Sequence, residues 1–150
     1  ILSTLHVLLD NNYVPVINEN DTVATQEIEF GDNDKLAAYT AVLLKAHLLL
    51  LASDIDGLHD SDPKSSNDAR LIRTVTNLQE VMKHAGESSS GLGTGGMKSK
   101  LEAAQICTRH GVEMWIVNGQ NDGFAVKALN GEGAFTRFMA NGSSASPANL

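Results

Sequence analysis

Apolar and polar positions fall along this chain in blocks of two different periods. Leu2, Leu5, Leu8 and Leu9 recur at helical spacing, and Asn11-Asn12 closes the run, so the chain opens with a helix. Tyr13 to Ile17 (YVPVI) is short and apolar and reads as a buried strand, with Pro15 at an edge or a strand start. Asn18 to Asp34 is polar, holds six acidic residues and is too long for a tight turn. Within it, Glu27 to Phe30 (EIEF) is compatible with a small extra strand. Asp32-Asn33-Asp34 caps an Ala/Leu-rich helix running from Lys35 to His47. Leu48 to Ala52 is a continuous apolar run closed by Ser53-Asp54, the pattern of a central parallel strand.

Asp56 to Asn67 is turn-rich. Asn77 with Glu80 three residues later resembles a capping box for a helix from Leu78 to His84. Gly86 to Gly96 is rich in Gly and Ser, and a helix from Met97 to Arg109 follows, capped by Gly111. Val112 to Val117 (VEMWIV) is another buried strand. Asn118-Gly119 turns the chain, Phe124 to Leu129 is helical, and Ala134 to Phe138 forms a last strand. Strands alternating with helices predict an α/β fold with right-handed crossovers and a mostly parallel sheet covered on both faces. Ligands in such sheets bind at the carboxyl ends of the strands, here the loops after Ile17, Ala52 and Val117. The Ser/Ala/Asn/Pro-rich tail, residues 141–150, is expected to be disordered, leaving 1–140 as one domain.

Composition narrows the function classes. The chain has 150 residues, 42% hydrophobic and 19% charged, the profile of one globular domain. Eleven basic against 18 acidic residues give a net charge of −7, which argues against a nucleic-acid-binding face. A single loop and a lysine can still hold a nucleotide on an acidic protein. The lone Cys107 allows neither an internal disulfide nor a Cys-based zinc site, as expected for a reducing, cytoplasmic compartment. No apolar run approaches the roughly 20 residues of a membrane span; the longest candidate, Ala41 to Ala52, is broken by Lys45 and His47. Ile1 to Leu9 lacks the basic start of a signal peptide, and with no initial Met the chain is expected to be a fragment or processed.

Three segments carry candidate chemistry. The first is Gly91-Leu92-Gly93-Thr94-Gly95-Gly96-Met97-Lys98-Ser99-Lys100. Glycines let main chain approach a phosphate, and the following helix offers its positive end. Lys98 and Lys100 would sit in the first helical turn, unfavourable for a cation unless an anion is bound. The plain alternative is a flexible linker. Walker A fails because Met97 follows Gly96. Gly91-x-Gly93-x-x-Gly96 matches the dinucleotide fingerprint, but no strand precedes it, and Asn118 stands where an acid is wanted.

The second segment pairs Asn18-Glu19-Asn20-Asp21 with Asp32-Asn33-Asp34. Carboxylates and amides there can hold an ammonium or organise catalytic lysines; the alternative is a solvated loop with an N-cap, the better reading for Asp32. The third, Ser53-Asp54-Ile55-Asp56-Gly57, follows a strand and is either a nucleotide-touching loop or a simple turn. The five histidines lack metal-ligand spacing, and Cys107 and Trp115 read as core residues.

Together, PVINENDTVATQEIEFGDND (Pro15 to Asp34), LLLLASDIDGL (Leu48 to Leu58) and GLGTGGMKSKLEAA (Gly91 to Ala104) resemble the glutamate 5-kinases of the amino acid kinase superfamily, from about Tyr13 to Phe138. The resemblance implies a three-layer α/β/α sandwich and transfer of phosphate from ATP, with Mg²⁺, to L-glutamate, the first step of proline biosynthesis. It implies that Asp21 binds the substrate ammonium and Asn33 the carboxylate region. Asp34 would organise the active-site lysines, and Lys100 would be catalytic. Ser53 and Asp54 would contact the nucleotide, and Thr94, Gly95, Gly96, Met97, Lys98, Ser99 and Lys100 would form the ATP loop. The family usually has Thr-Asp where this chain has Ser53-Asp54, so the hydroxyl is kept.

It further implies proline as feedback inhibitor acting through the loop around Thr22 to Phe30, a homo-oligomer, and no protein metal ligands. The family's earlier phosphate loops and another lysine would precede Ile1, so the domain is expected to be N-terminally truncated and poorly active alone. The alternatives are an aspartate, carbamate or uridylate kinase, or a nucleotide-binding regulatory fragment without turnover. Asp21 with Asn33 argues for an amino-acid substrate.

Overall fold

The computed structural model of the chain describes residues 2–18, 33–63, 66–87 and 95–140. The possible strand at Glu27–Phe30 and the tail at 141–150 lie outside these residues. Helix α1 (Leu2–Asp10) forms as its leucine spacing predicts and buries Leu5. It ends where Asn12 turns left-handed at φ 61° and the Asn12 and Tyr13 amides donate to the Leu9 and Leu8 carbonyls at 2.9 Å each. Asparagine tolerates that conformation better than most residues.

The strand expected at Tyr13–Ile17 does not form. The segment is irregular, with Val14 87% and Val16 96% exposed. A strand needs a neighbour for its backbone groups, and no strand among the described residues pairs with this one.

Four strands make the sheet: β1 (Leu48–Ser53), β2 (Thr74–Val75), β3 (Glu113–Asn118) and β4 (Phe135–Phe138), ordered β1-β3-β4-β2. β1/β3 and β2/β4 are parallel, while β3/β4 is antiparallel. The sheet is therefore mostly parallel, with one reversal between β3 and β4. The helix between those strands, α5 (Phe124–Leu129), is six residues, about 9 Å long. It is too short to carry the chain back along β3, so β4 starts from the end where β3 stops. β1, expected at the centre, is an edge strand among those described. Its run of leucines reflects cover on both faces, which does not require a strand on both sides.

Alternation along the strands divides the core. Leu49, Leu51, Met114, Ile116 and Phe138 pack with Ala38, Ala41, Leu101, Ala104 and Cys107. Those partners belong to α2 (Asn33–Leu43) and α4 (Gly95–Arg109). Leu78, Val81 and Met82 of α3 (Leu78–Glu87) join the same cluster. On the opposite face Leu50, Trp115, Val117 and Phe135 pack with Phe124 and Ala128 of α5. The result is a three-layer α/β/α arrangement. On the α5 face the Glu113 Oε1 accepts from Trp115 Nε1 at 2.6 Å and Arg137 Nε at 3.0 Å, and Trp115 stacks on Phe135 at 5.1 Å.

Helix ends set up the site. α2 stops where Lys45 turns left-handed (φ 51°), and α4 is followed by Gly111 at φ 79°. Each then enters its strand within a few residues, α2 into β1 and α4 into β3. Both helices therefore run against their strands. At 15 residues, α4 spans about 22 Å, close to the roughly 20 Å of six-residue β3. The helix starts are thus returned to the level of the strands' carboxyl ends.

Candidate active site

α2 and α4 lie against each other through small and medium side chains, Ala38 and Ala41 among them, so their starts come close. Asp34, in the first turn of α2, is bridged to α4. Its Oδ2 accepts from Ser99 Oγ at 2.9 Å and from Lys100 Nζ at 3.1 Å. The side chains of Lys100 and Asp34 are 13% and 19% exposed, so the charges are partly desolvated. Lys35 and Glu102 form a second ion pair between the two helices at 2.6 Å. An acid in the first turn of α2 is also favoured by the helix dipole.

Asn33 opens α2 and is exposed. α4 begins at Gly95, two residues earlier than its pattern suggested, so Lys100 stands in its second turn. Lys98 points to solvent, whereas Met97 packs on the core cluster. A Cβ on Gly96 would meet open space, so no packing contact requires glycine there. Asp21, Asp32 and Thr94 lie outside the described residues.

Ser53 ends β1 and Asp54 follows it, and Ser53 Oγ donates to Asp54 Oδ1 at 3.1 Å. Ser53 is in register with Asn118 at the end of β3. The Gly119 amide donates to the Ser53 carbonyl at 2.8 Å, and Asn118 Nδ2 donates to Asp56 Oδ1 at 3.0 Å. Asp56 belongs to the segment 53–57, read from the sequence as either a nucleotide-touching loop or a turn, and Asn118 opens what the sequence reads as the loop after Val117. Neither residue carries an individual role in that reading, and their pairing follows from adjacent parallel strands. A separate cleft of about 250 Å³ lies between the start of α3 and the far end of α4, at Thr108 and Arg109, away from Lys100.

Among the described residues no group of three or more His, Cys, Asp or Glu is placed to hold a metal, and no helix is long and apolar enough to cross a membrane. The arrangement offers Lys100 held beside a carboxylate near the helix starts, with polar groups at two strand ends. It is suited to steadying a negatively charged group.

A sequence profile of the amino acid kinase family matches residues 1–118. The chain belongs to the amino acid kinase family. It is 49% identical over 138 residues to the glutamate 5-kinase of Shewanella woodyi, covering 91% of this chain and 37% of that protein. The glutamate 5-kinases of Alkaliphilus oremlandii (46%, covering 93% of this chain and 53% of theirs) and Thermus thermophilus (49%, 92% and 37%) are similar. The chain thus spans about a third to a half of these relatives.

Its fold is shared by solved structures of other kinases. UMP kinase from Ureaplasma parvum superposes with a TM-score of 0.66 at 16% identity, over 93% of this chain and 53% of the other. An isopentenyl phosphate kinase gives 0.65 at 24% identity, over 91% and 50%. Both carry the amino acid kinase fold expected here, and neither bears on the substrate.

Proposed function

We propose that this chain is part of a glutamate 5-kinase and carries the nucleotide half of its active site. The protein would move the γ-phosphoryl group of ATP to the side-chain carboxylate of L-glutamate, giving ADP and L-glutamyl 5-phosphate. The observation that carries the reading is the Asp34–Lys100 pair where the starts of α2 and α4 meet. It is supported by 46–50% identity to glutamate 5-kinases.

A carboxylate nucleophile is ionised at pH 7, so no general base is needed. What the protein must provide is alignment and relief of repulsion between two anions. Lys100 is the cation for the transferring group, and Asp34 fixes its position. Gly95 and Gly96 would let main chain approach the phosphates, with Thr94, Met97, Lys98 and Ser99 completing the loop. Ser53 and Asp54 would contact the nucleotide. Asp21 and Asn33 would take the glutamate. Mg²⁺ would arrive bound to the triphosphate and would neutralise part of its charge.

The same reading carries proline feedback through the loop at Thr22–Phe30, a homo-oligomer and a cytoplasmic location. It also takes residues 1–140 as one portion of the kinase domain. The test is to incubate the protein with ATP, Mg²⁺, L-glutamate and hydroxylamine and to measure γ-glutamyl hydroxamate. Product dependent on both ATP and glutamate is expected, at a low rate from this chain alone. Phosphorylation of aspartate, carbamate or UMP in place of glutamate would refute the substrate. An absence of ATP binding would refute the site.

A further inference from the structure

We propose that Asn118 is a positioning residue: its side-chain amide clasps the Asp56 carboxylate, holds residues 53–58 across the ends of the strands and so presents Ser53 and Asp54 to nucleotide. The last step rests on the phosphoryl-transfer reading above. The clasp itself can be tested without nucleotide.

The chain leaving β1 crosses the sheet instead of turning back beside its own strand. Ser53 is in register with Asn118 of β3, and its carbonyl accepts from the Gly119 amide at 2.8 Å. Further on, the Leu58 amide donates to Thr136 Oγ1 of β4 at 2.8 Å. β3 lies between β1 and β4, so the segment joining these two anchors has to pass β3. Asn118 is the last residue of that strand. Its Nδ2 donates to Asp56 Oδ1 at 3.0 Å, and its Oδ1 accepts from the Gln120 amide at 3.0 Å.

Both ends of the amide are therefore used, which fixes the way it faces. The bond to a carboxylate is the stronger kind, and it joins the loops after two adjacent parallel strands, where ligands of α/β sheets bind. The main chains meet closely at the same place: a Cβ on Gly119 would lie 3.0 Å from Ala52 Cβ. Asp54 and Asp56 are exposed, whereas Ile55 packs on the core cluster. Packing of Ile55 sets the depth of the segment, and the clasp sets where its polar side lies along the strand ends. A role as anchor also makes a prediction opposite to simple electrostatics. Removing a carboxylate near a triphosphate site relieves repulsion and should tighten binding. Removing an anchor should weaken it.

Asp56→Ala, Asp56→Asn, Asn118→Ala and the double Ala variant, each in the whole chain, decide the matter. Asp56→Asn keeps an oxygen that accepts from Asn118, so it is the conservative rescue. In the ligand-free protein, amide exchange at Gly119 followed by NMR should be about fivefold faster in both single Ala variants and within about twofold of the parent in Asp56→Asn, the shift one lost hydrogen bond produces. Exchange at Ile116, buried in the middle of β3, should keep the parent rate, which separates the effect from general loosening. Calorimetric titration with ATP and Mg²⁺ should give roughly tenfold weaker affinity in each single Ala variant, no further loss in the double variant, and near-parent affinity in Asp56→Asn. Equal Gly119 exchange in Asp56→Ala and Asp56→Asn would overturn the clasp. Unchanged or tighter ATP binding by Asp56→Ala, or losses that add in the double variant, would overturn its part in presenting nucleotide. A parent chain that fails to bind ATP defeats the nucleotide reading and that part with it, while exchange at Gly119 still decides the clasp.

Discussion

Lys100 Nζ lies 3.1 Å from Asp34 Oδ2, joining the second turn of α4 to the first turn of α2. A lysine so held can stabilise charge that develops in a transition state without reorganising first. On the proposed kinase reading, Lys100→Met in the complete enzyme should lower glutamyl phosphate formation by about 10²- to 10³-fold, the scale of losing one strong oxyanion donor. ATP affinity should fall by much less. A hydroxamate assay alongside calorimetric titration with ATP would check this, and a variant with near-parent turnover would remove Lys100 from the mechanism.

Gly96 separates folding from binding. A Cβ there touches nothing in the protein, and glycine in a helix is less favourable than alanine. Gly96→Ala should leave the urea midpoint unchanged or raise it slightly. If main chain at this position approaches phosphates, the same methyl should cost roughly tenfold in ATP affinity, about 1.4 kcal/mol. A loss of stability with unchanged affinity would reverse the assignment.

These two residues also show what could be read in the sequence. The helices around Lys100 and Asp34 were legible because capping residues and apolar spacing are local signals. So was the α/β class, from strands alternating with helices. Tyr13–Ile17 misled because an apolar run specifies burial without naming a partner, and here Val14 and Val16 are exposed. β2 is two residues long, too short for any period to register. The reversal at β4 follows from the shortness of α5, whose helical pattern at Phe124–Leu129 was plain while its consequence for strand direction was not. That Asp34 would meet Ser99, 65 residues away, is a matter of helix packing. Motif resemblance suggested a role for Asp34 with the lysines; spacing alone carried no such distance.

Thr136 stitches the loop after β1 to β4. It is fully buried; its Oγ1 accepts from the Leu58 amide at 2.8 Å and donates to the Ile72 carbonyl at 2.7 Å. Thr136→Val keeps the shape and strands both backbone groups, which should cost about 2–4 kcal/mol. Thr136→Ser should recover most of it. Gly57→Ala should be at least as damaging, because Gly57 has φ 150° and an added Cβ would overlap Thr136 Oγ1. Denaturant unfolding would rank the three variants, and a Val variant as stable as the parent would show that these bonds are dispensable.

Cys107 makes stability depend on pH in the alkaline range. Burial pushes its thiol up to about 11 from the ordinary 9.0, because the thiolate is disfavoured in the core. As pH rises past 9.0 the unfolded chain loses this proton first, so the unfolded state binds fewer protons than the folded one. The stabilisation is fully present below that value and is lost as pH approaches about 11. Cys107→Ala should cost about 1 kcal/mol at neutral pH by leaving a small void. The variant lacks the titrating thiol, so the parent's advantage should shrink steadily across the same alkaline window. Urea midpoints of both proteins measured at intervals through it would reveal the narrowing. A gap that stays constant would mean the thiol ionises as readily in the fold as in the open chain.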